Sequence, residues 1–391
     1  MSKLKDNLIF KLVLAVAIGI ILGLIVNETI IGIISSIKHI IGQIIFFTVP
    51  LIIIGFITPS ITSLQDNASK MLAAALLIAY LSSVGAALFS MLAGYIIIPG
   101  LNIVDNPEGL RTLPELVFQL DIPPIMPVMS ALVLSIILGL TVIWTKSKAI
   151  NNILDEFHNI MMAVVKRIVI PILPIFIATT FAGLAYEGSI TKQFPVFIEV
   201  ILIVIIGHFI WLAVLYGIAG LISKENPWEV AKHYGPAYLT AIGTMSSAAT
   251  LPVALESARK SPILDKEIVD FSIPLGSTIH LCGSVLTEVF FVMTISKILY
   301  GTLPPVSSMI IFIFLLGIFA IGAPGVPGGT VMASLGLITG ILGFDDAGVA
   351  LMLTIFALQD SFGTACNITG DGAIALMLTG IFKKEIKTDS N

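Results

Sequence analysis

Apolar stretches long enough to cross a bilayer recur along the first 222 residues, at about 8–27, 37–62, 71–96, 128–145, 160–186 and 193–222. A helix needs about 20 apolar residues to traverse the hydrocarbon, where every backbone N–H and C=O must be paired inside the protein. A chain built this way folds as membrane helices. Composition agrees, with 57% hydrophobic residues, 11% charged residues and a mean hydropathy of +1.06, where soluble domains are roughly a quarter charged. The net charge of −4 is small and spread out, which points to no nucleic-acid partner. The two cysteines, Cys282 and Cys366, lie in apolar segments and form no disulfide framework or paired metal motif. They read as small apolar fillers rather than reactive thiols.

The run after Lys11 is longer than a signal-peptide core and reads as a first transmembrane helix kept in the mature protein. Lys3, Lys5 and Lys11 put the N-terminus in the cytoplasm under the positive-inside rule. Lys146, Lys148, Lys224, Lys232, Arg259, Lys260, Lys266 and the tail FKKEIK fall on the same side, with Asp345 and Asp346 outside. The expectation is a multi-pass protein of the plasma membrane with both termini cytoplasmic. Lys166 and Arg167 in the fifth span are expected to snorkel toward that side. The proline-rich stretch 99–127 is expected to wrap the outside of the bundle in short pieces, and no soluble domain or low-complexity segment stands out.

The last third departs from this pattern. Two apolar segments are interrupted by small and polar residues, GTMSSAATLP (243–252) and GAPGVPGGT (322–330). Each is followed by a long helix with its own polar interruption, IHLCGS (279–284) and DSFGTACNITGDG (360–372). An interrupted hairpin followed by a broken helix thus occurs twice. Paired interruptions in corresponding positions point to a transporter binding site, because non-helical backbone survives at membrane depth only where it is buried or lines a cavity.

Asp360, Thr364, Asn367 and Asp371 stand at i, i+4, i+7 and i+11, which at about 100° per residue places them within an arc of roughly 60°. A carboxylate at the bilayer centre costs about 2.5–3.5 kcal/mol on insertion scales. Two on one face, in a helix with no basic residue nearby, call for a bound metal ion and an ammonium group, or for full satisfaction by internal hydrogen bonds. Gly276, His280, Ser284 and Glu288 form a similar four-residue stripe in the preceding helix. Glu288 is an intramembrane acid, either a proton carrier or a neutral packing residue. His280 is a proton site, a ligand or a satisfied core histidine. Ser246 and Ser247, at the first hairpin tip, can offer hydroxyls and free N–H groups to an anion, or serve as small residues for close packing.

These residues resemble the dicarboxylate/amino acid:cation symporters, a family that includes the glutamate transporters and neutral amino acid exchangers. The likeness covers nearly the whole chain and is most specific in SSAATLP, IPLGSTIHLCGS, GVPGG and DSFGTACNITGD. It implies an all-α membrane protein of eight transmembrane helices and two re-entrant helical hairpins in inverted repeats. It further implies a glutamate-transporter-like elevator fold assembled as a homotrimer among membrane lipids. By this likeness 1–70 and 98–190 form a scaffold. Residues 71–97 and 191–391 form a transport domain, with hairpins at about 227–258 and 305–343.

Carried over residue by residue, Asp360 would bind a substrate amino group and Asn367 its carboxylate. Thr364, Ser247 and the backbone around Ser246 and Val326 would complete the pocket, and GVPGG would be the extracellular gate. Asp371 would hold sodium with carbonyls of Gly276, His280 and Asn367. Thr278 and carbonyls near Ile321 and Ala323 would form a second cation site. Acidic-substrate members carry an arginine at the position of Met245 or Gly363. Its absence favours a neutral amino acid, because an unpaired buried carboxylate is costly. The aspartate of the family's NMDGT motif is here Cys282, so a further sodium site, near Tyr80, Ser82 and Ser83, lacks its acid. Glu288 stands where proton-coupled members have a glutamate.

The expected activity is therefore symport of a small neutral amino acid with Na+, H+ or both, without an organic cofactor. The alternatives are an acidic or dicarboxylate substrate, an intramembrane hydrolase using Ser246 or Ser247 with His280, and an ion channel.

Overall fold

The structure is a computed structural model that describes residues 8–63, 70–101, 103, 112–188, 190–323, 325 and 327–389. Lys3 and Lys5, part of the orientation argument, lie outside the described residues, as does Val326. The described chain is helical: α1 Leu8–Ile25, α2 Glu28–Ser63, α3 Lys70–Ile97, α4 Val128–Thr145, α5 Lys148–Val164, α6 Ile170–Glu187 and α7 Ile190–Ser223. A short α8 Trp228–Ala231 leads into α9 Gly235–Thr244, α10 Ser247–Arg259, α11 Lys266–Ile279 and α12 Cys282–Tyr300. Then come α13 Val306–Gly322, α14 Gly329–Gly340 and α15 Asp346–Asp389.

Among the described residues six segments are long and apolar enough to cross a membrane: Glu28–Pro59, Lys70–Gly100, Lys148–Glu187, Val196–Ser223, Lys266–Tyr300 and Asp346–Phe382. Phe10–Ile25, Val133–Thr145, Val306–Gly322 and Gly329–Gly340 are shorter apolar helices. The chain is a multi-pass membrane protein. Two spans start earlier than hydropathy suggested. α2 begins at Glu28 rather than near 37 because the Asn27 side chain accepts the Ile30 N–H at 3.0 Å and so fixes the start. The fifth span continues from the amphipathic α5 through a π-helical turn, Val165–Val169, that exposes Lys166 and Arg167. In the stretch 112–127 no helix forms; Phe118 N–H donates to Ser36 Oγ at 3.2 Å, which lays this segment along α2.

Packing sorts the helices into two groups. α1, α2, α4, α5 and α6 pack on one another, while α3 and α7 pack with α9 to α15. Contacts between the groups run mainly through α13 and α14 onto α2 and α4, and through α15 onto α1 and α6. α9 packs against α10, and α13 against α14, as pairs of short helices joined by short connections.

The two polar interruptions in long helices turn out differently. α11 ends at Ile279 and α12 starts at Cys282, with His280 extended (φ −108°, ψ 101°) between them. The stripe from Gly276 to Glu288 is therefore not one helical face. The expected second break does not exist: α15 runs unbroken from Asp346 to Asp389. Its glycines serve close contact instead. A Cβ on Gly363 would lie 3.3 Å from Ser284 Cα, and one on Gly370 2.7 Å from the His280 ring. One on Gly372 would lie 2.5 Å from Tyr234 and 2.6 Å from Tyr216 Oη.

Candidate functional site

Where α9, α11 and α13 end, helix C-termini point last-turn carbonyls into the protein. Where α10, α12 and α14 begin, N-termini point free N–H groups there. C-terminal ends favour cations and N-terminal ends favour anions. These ends meet along the polar face of α15, whose Asp360, Thr364, Asn367 and Asp371 are each no more than 4% exposed.

Asp371 and His280 form the deepest part. His280 Nδ1 lies 2.9 Å from Asp371 Oδ1 and Nε2 lies 2.9 Å from Ser82 Oγ on α3. Both side chains are fully buried. Asp371 Oδ2 is buried and has no hydrogen-bond partner. A carboxylate with one oxygen held and the other buried without a partner fits a hard cation, whose further ligands would be helix-end carbonyls. Gly276 is required there, since a Cβ would come within 2.7 Å of Asp371 Oδ1. Tyr80 is not brought to this cluster; its hydroxyl donates to Phe314 O at 3.3 Å. Ser83 Oγ is buried and unpartnered, and Cys282 is fully buried. Among the described residues no group of three or more His, Cys, Asp or Glu is arranged as a metal cluster.

One turn earlier, Asn367 closes the helix break. Its Oδ1 accepts from Gly283 N–H at 2.7 Å and Ser284 N–H at 3.2 Å, and its Nδ2 donates to Ser284 Oγ at 2.9 Å. A carboxamide nitrogen has two hydrogens, so one remains for a ligand. Asp360 Oδ2 accepts from Gly328 N–H at 2.7 Å, which ties α15 to the N-terminus of α14. Ser246 caps α10 by accepting from Ala249 N–H at 3.3 Å, and donates to Gly325 O at 2.8 Å. The two hairpin tips therefore touch. Ser247 is buried beside them, 3.7 Å from the point a Cβ on Gly325 would occupy.

Some expected residues sit less favourably. The Thr278 side chain bonds its own helix at Leu275 O, 2.7 Å away, and the residue is exposed. Ile321 and Ala323 lie at the end of α13, where the last carbonyls are accessible to a cation. Met245 is buried at 2% exposure. Gly363 is no open slot awaiting a longer side chain, because its Cβ direction runs into the Ser284 backbone. The hydrolase pairing of Ser246 with His280 is not formed: His280 Nε2 faces Ser82 Oγ, and Ser246 Oγ donates instead to Gly325 O.

Glu288 is fully buried on α12; Ser334 of α14 donates to its Oε1, and its Oε2 has no partner. Ser334 carries no sequence signal of its own and was not foreseen. His208 on α7 was also missed: its Nε2 sits 3.0 Å from both Gly283 O and Thr287 Oγ1, bracing the start of α12. An ionisable residue inside the sixth apolar span was the signal available for it.

Comparison with known proteins identifies the family. Mouse excitatory amino acid transporter 2 is 26% identical over 245 residues, 61% of this chain and 42% of that protein. Bovine excitatory amino acid transporter 3 is 28% identical over 260 residues, 66% and 48% of the two chains. A putative sodium-dependent excitatory amino acid transporter, glt-6, of Caenorhabditis elegans is 32% identical over 165 residues, 42% and 30%. The matched region spans less than half the length of each relative. A sequence profile described as the sodium:dicarboxylate symporter family matches residues 8–381, nearly the whole chain. The protein belongs to the sodium:dicarboxylate symporter family, a family of secondary transporters and not of enzymes.

Proposed function

We propose that this chain is a symporter that carries a small neutral amino acid across the plasma membrane with Na+, and that Glu288 can add a proton to the coupling. One observation carries the reading: two buried carboxylates, Asp360 and Asp371, share the polar face of α15, while no lysine or arginine occurs between Lys297 and Lys383. An ammonium at Asp360 and a sodium ion at Asp371 supply the missing positive charge. The helix N-termini at Ser246, Ser247 and Gly328 suit the substrate carboxylate, with Asn367 and Thr364 beside it. Thr278 and the carbonyls of Ile321 and Ala323 offer a second cation position.

We read the architecture as eight membrane-spanning helices with two re-entrant hairpins, α9–α10 and α13–α14. The two packing groups support a static scaffold and a moving transport domain of elevator type. Assembly as a homotrimer and cytoplasmic termini belong to the same reading. A neutral substrate follows from Met245 and Gly363, which leave no guanidinium for a distal carboxylate. The names of the relatives favour the second reading, an acidic amino acid or dicarboxylate.

Uptake into proteoliposomes with sodium and pH gradients imposed separately tests the proposal. Neutral amino acids are expected to be taken up under the sodium gradient, with aspartate and glutamate competing poorly. Glu288→Gln is expected to keep exchange but lose the response to the pH gradient. Tight competition by glutamate at neutral pH would overturn the neutral assignment. Uptake indifferent to both gradients would remove the coupling.

A further inference from the structure

His208 lies 1% exposed in α7, inside the apolar span Val196–Ser223. Its Nε2 stands 3.0 Å from Gly283 O and 3.0 Å from Thr287 Oγ1. A carbonyl oxygen only accepts, and the Thr287 hydroxyl already donates to that same carbonyl at 2.9 Å. The imidazole hydrogen therefore sits on Nε2 and is shared between the two oxygens. Nδ1 is buried with no hydrogen-bond partner, so a hydrogen there would have no acceptor. The ring stands as the neutral Nε2–H tautomer, a donor aimed at one peptide of another helix.

The Gly283 carbonyl and the Ser284 N–H are the two ends of one planar peptide unit. His208 holds the carbonyl end, and Asn367 Oδ1 accepts the N–H end at 3.2 Å. Asn367 also accepts from Gly283 N–H at 2.7 Å and donates to Ser284 Oγ at 2.9 Å. A rotation of that plane turns the Asn367 carboxamide with it, and with it the one Nδ2 hydrogen left for a ligand. The seam is tight: a Cβ on Gly283 would come within 2.4 Å of Cys366 Cβ and 2.5 Å of Gly363 O. Cys366 Sγ in turn lies 3.9 Å from His208 O, so α7, α12 and α15 meet at this peptide.

We propose that His208 is a positioning residue for substrate binding: through the 283–284 peptide it fixes the direction of the free Asn367 N–H and so the affinity for a substrate carboxylate. His208 touches no substrate itself. The inference rests on the reading of Asn367 as the carboxylate ligand and is indifferent to whether the substrate side chain is neutral or acidic.

The test uses His208→Gln, His208→Asn and His208→Phe, reconstituted as full chains in proteoliposomes. A glutamine amide nitrogen reaches the place of Nε2 and keeps the donor. An asparagine nitrogen reaches only as far as Nδ1, and phenylalanine keeps ring volume alone. Saturation of uptake is measured with L-alanine and with L-aspartate under a sodium gradient, and hydrogen exchange is followed over residues 281–287. For whichever probe is carried, His208→Asn and His208→Phe are expected to raise the KM about five- to tenfold, as loss of one hydrogen bond gives. The maximal rate should stay within about twofold of wild type. Exchange over 281–287 should quicken in the same two variants, and His208→Gln should restore both readouts. If one donor-free variant does not fold, the other decides. An unchanged KM in a folded donor-free variant would overturn the proposal. So would a raised KM without faster exchange, because the effect would then bypass the peptide. Loss of maximal rate and thermal midpoint in all three variants alike would make His208 a packing residue only. No saturable uptake of either probe by the wild-type protein would bring down the transport reading, and the proposal with it, even if exchange still showed His208 holding the peptide.

Discussion

The segments 266–300 and 346–389 carry similar interruptions, IHLCGS and DSFGTACNITGDG, yet only the first opens its helix. Glycine content does not explain the difference, because the unbroken α15 holds Gly363, Gly370 and Gly372 within that motif and the broken segment holds Gly283. Each glycine in a helix interior costs about 1 kcal/mol relative to alanine, which close packing can offset. The deciding factor is who supplies partners. At the break, the freed Gly283 and Ser284 N–H groups end on Asn367, and the displaced His280 ring ends on Asp371. Both acceptors belong to α15. One helix opens because the other stays closed and presents its polar face.

The strongest way to break this comparison is to remove the supplier. Asn367→Ala leaves two N–H donors and the Ser284 hydroxyl unmatched in a buried seam. At about 1–3 kcal/mol per unsatisfied group, the expected loss is roughly 3–9 kcal/mol of stability, with uptake abolished. Denaturant unfolding in detergent micelles measures it. An unchanged midpoint would mean that the break supports itself and that α15 is not its partner.

Asp360→Asn should separate function from packing. The amide keeps an oxygen for the Gly328 N–H at 2.7 Å, so the fold and its thermal midpoint should hold. The charge-assisted bond to a substrate ammonium is lost, worth about 1.5–3 kcal/mol, or roughly 10- to 150-fold in apparent substrate affinity. Substrate titration of uptake, alongside thermal unfolding, checks both halves. Normal uptake by this variant would remove the amino acid assignment and leave Asp360 as a cap for α14.

Much of this was legible in the sequence, for identifiable reasons. Membrane class followed from apolar run length, and the polar face of α15 followed from helical spacing of Asp360, Thr364, Asn367 and Asp371. The interruptions at 246 and 325 were readable because small and polar residues in an apolar run have few other uses at that depth. What stayed hidden depends on neighbours distant in the chain. Whether DSFGTACNITGDG breaks is decided by Ser284, His280 and Tyr234 packing on its glycines. That His280 presents its ring, where the likeness used only its carbonyl, is decided by Ser82 on α3 and Asp371 on α15. Ser334 meets Glu288 only because α14 folds back beside α12.

The seam between the broken and unbroken helices can be probed from both sides with a single methyl group, and this sets the smallest expected effect. A Cβ on Gly283, on the broken side, would lie 2.4 Å from Cys366 Cβ and 2.5 Å from Gly363 O. Backbone must move to admit it, so Gly283→Ala should cost about 1–3 kcal/mol. A Cβ on Gly363, on the unbroken side, would lie 3.3 Å from Ser284 N and Cα. That contact requires a shift of a few tenths of an ångström, and a helix-interior alanine returns about 1 kcal/mol of propensity. Gly363→Ala should therefore lose less than about 1 kcal/mol. Thermal unfolding of the two variants side by side compares them. Equal, large losses would show that α15 has no more tolerance than the break it supports, and that its continuity is not what steadies the seam.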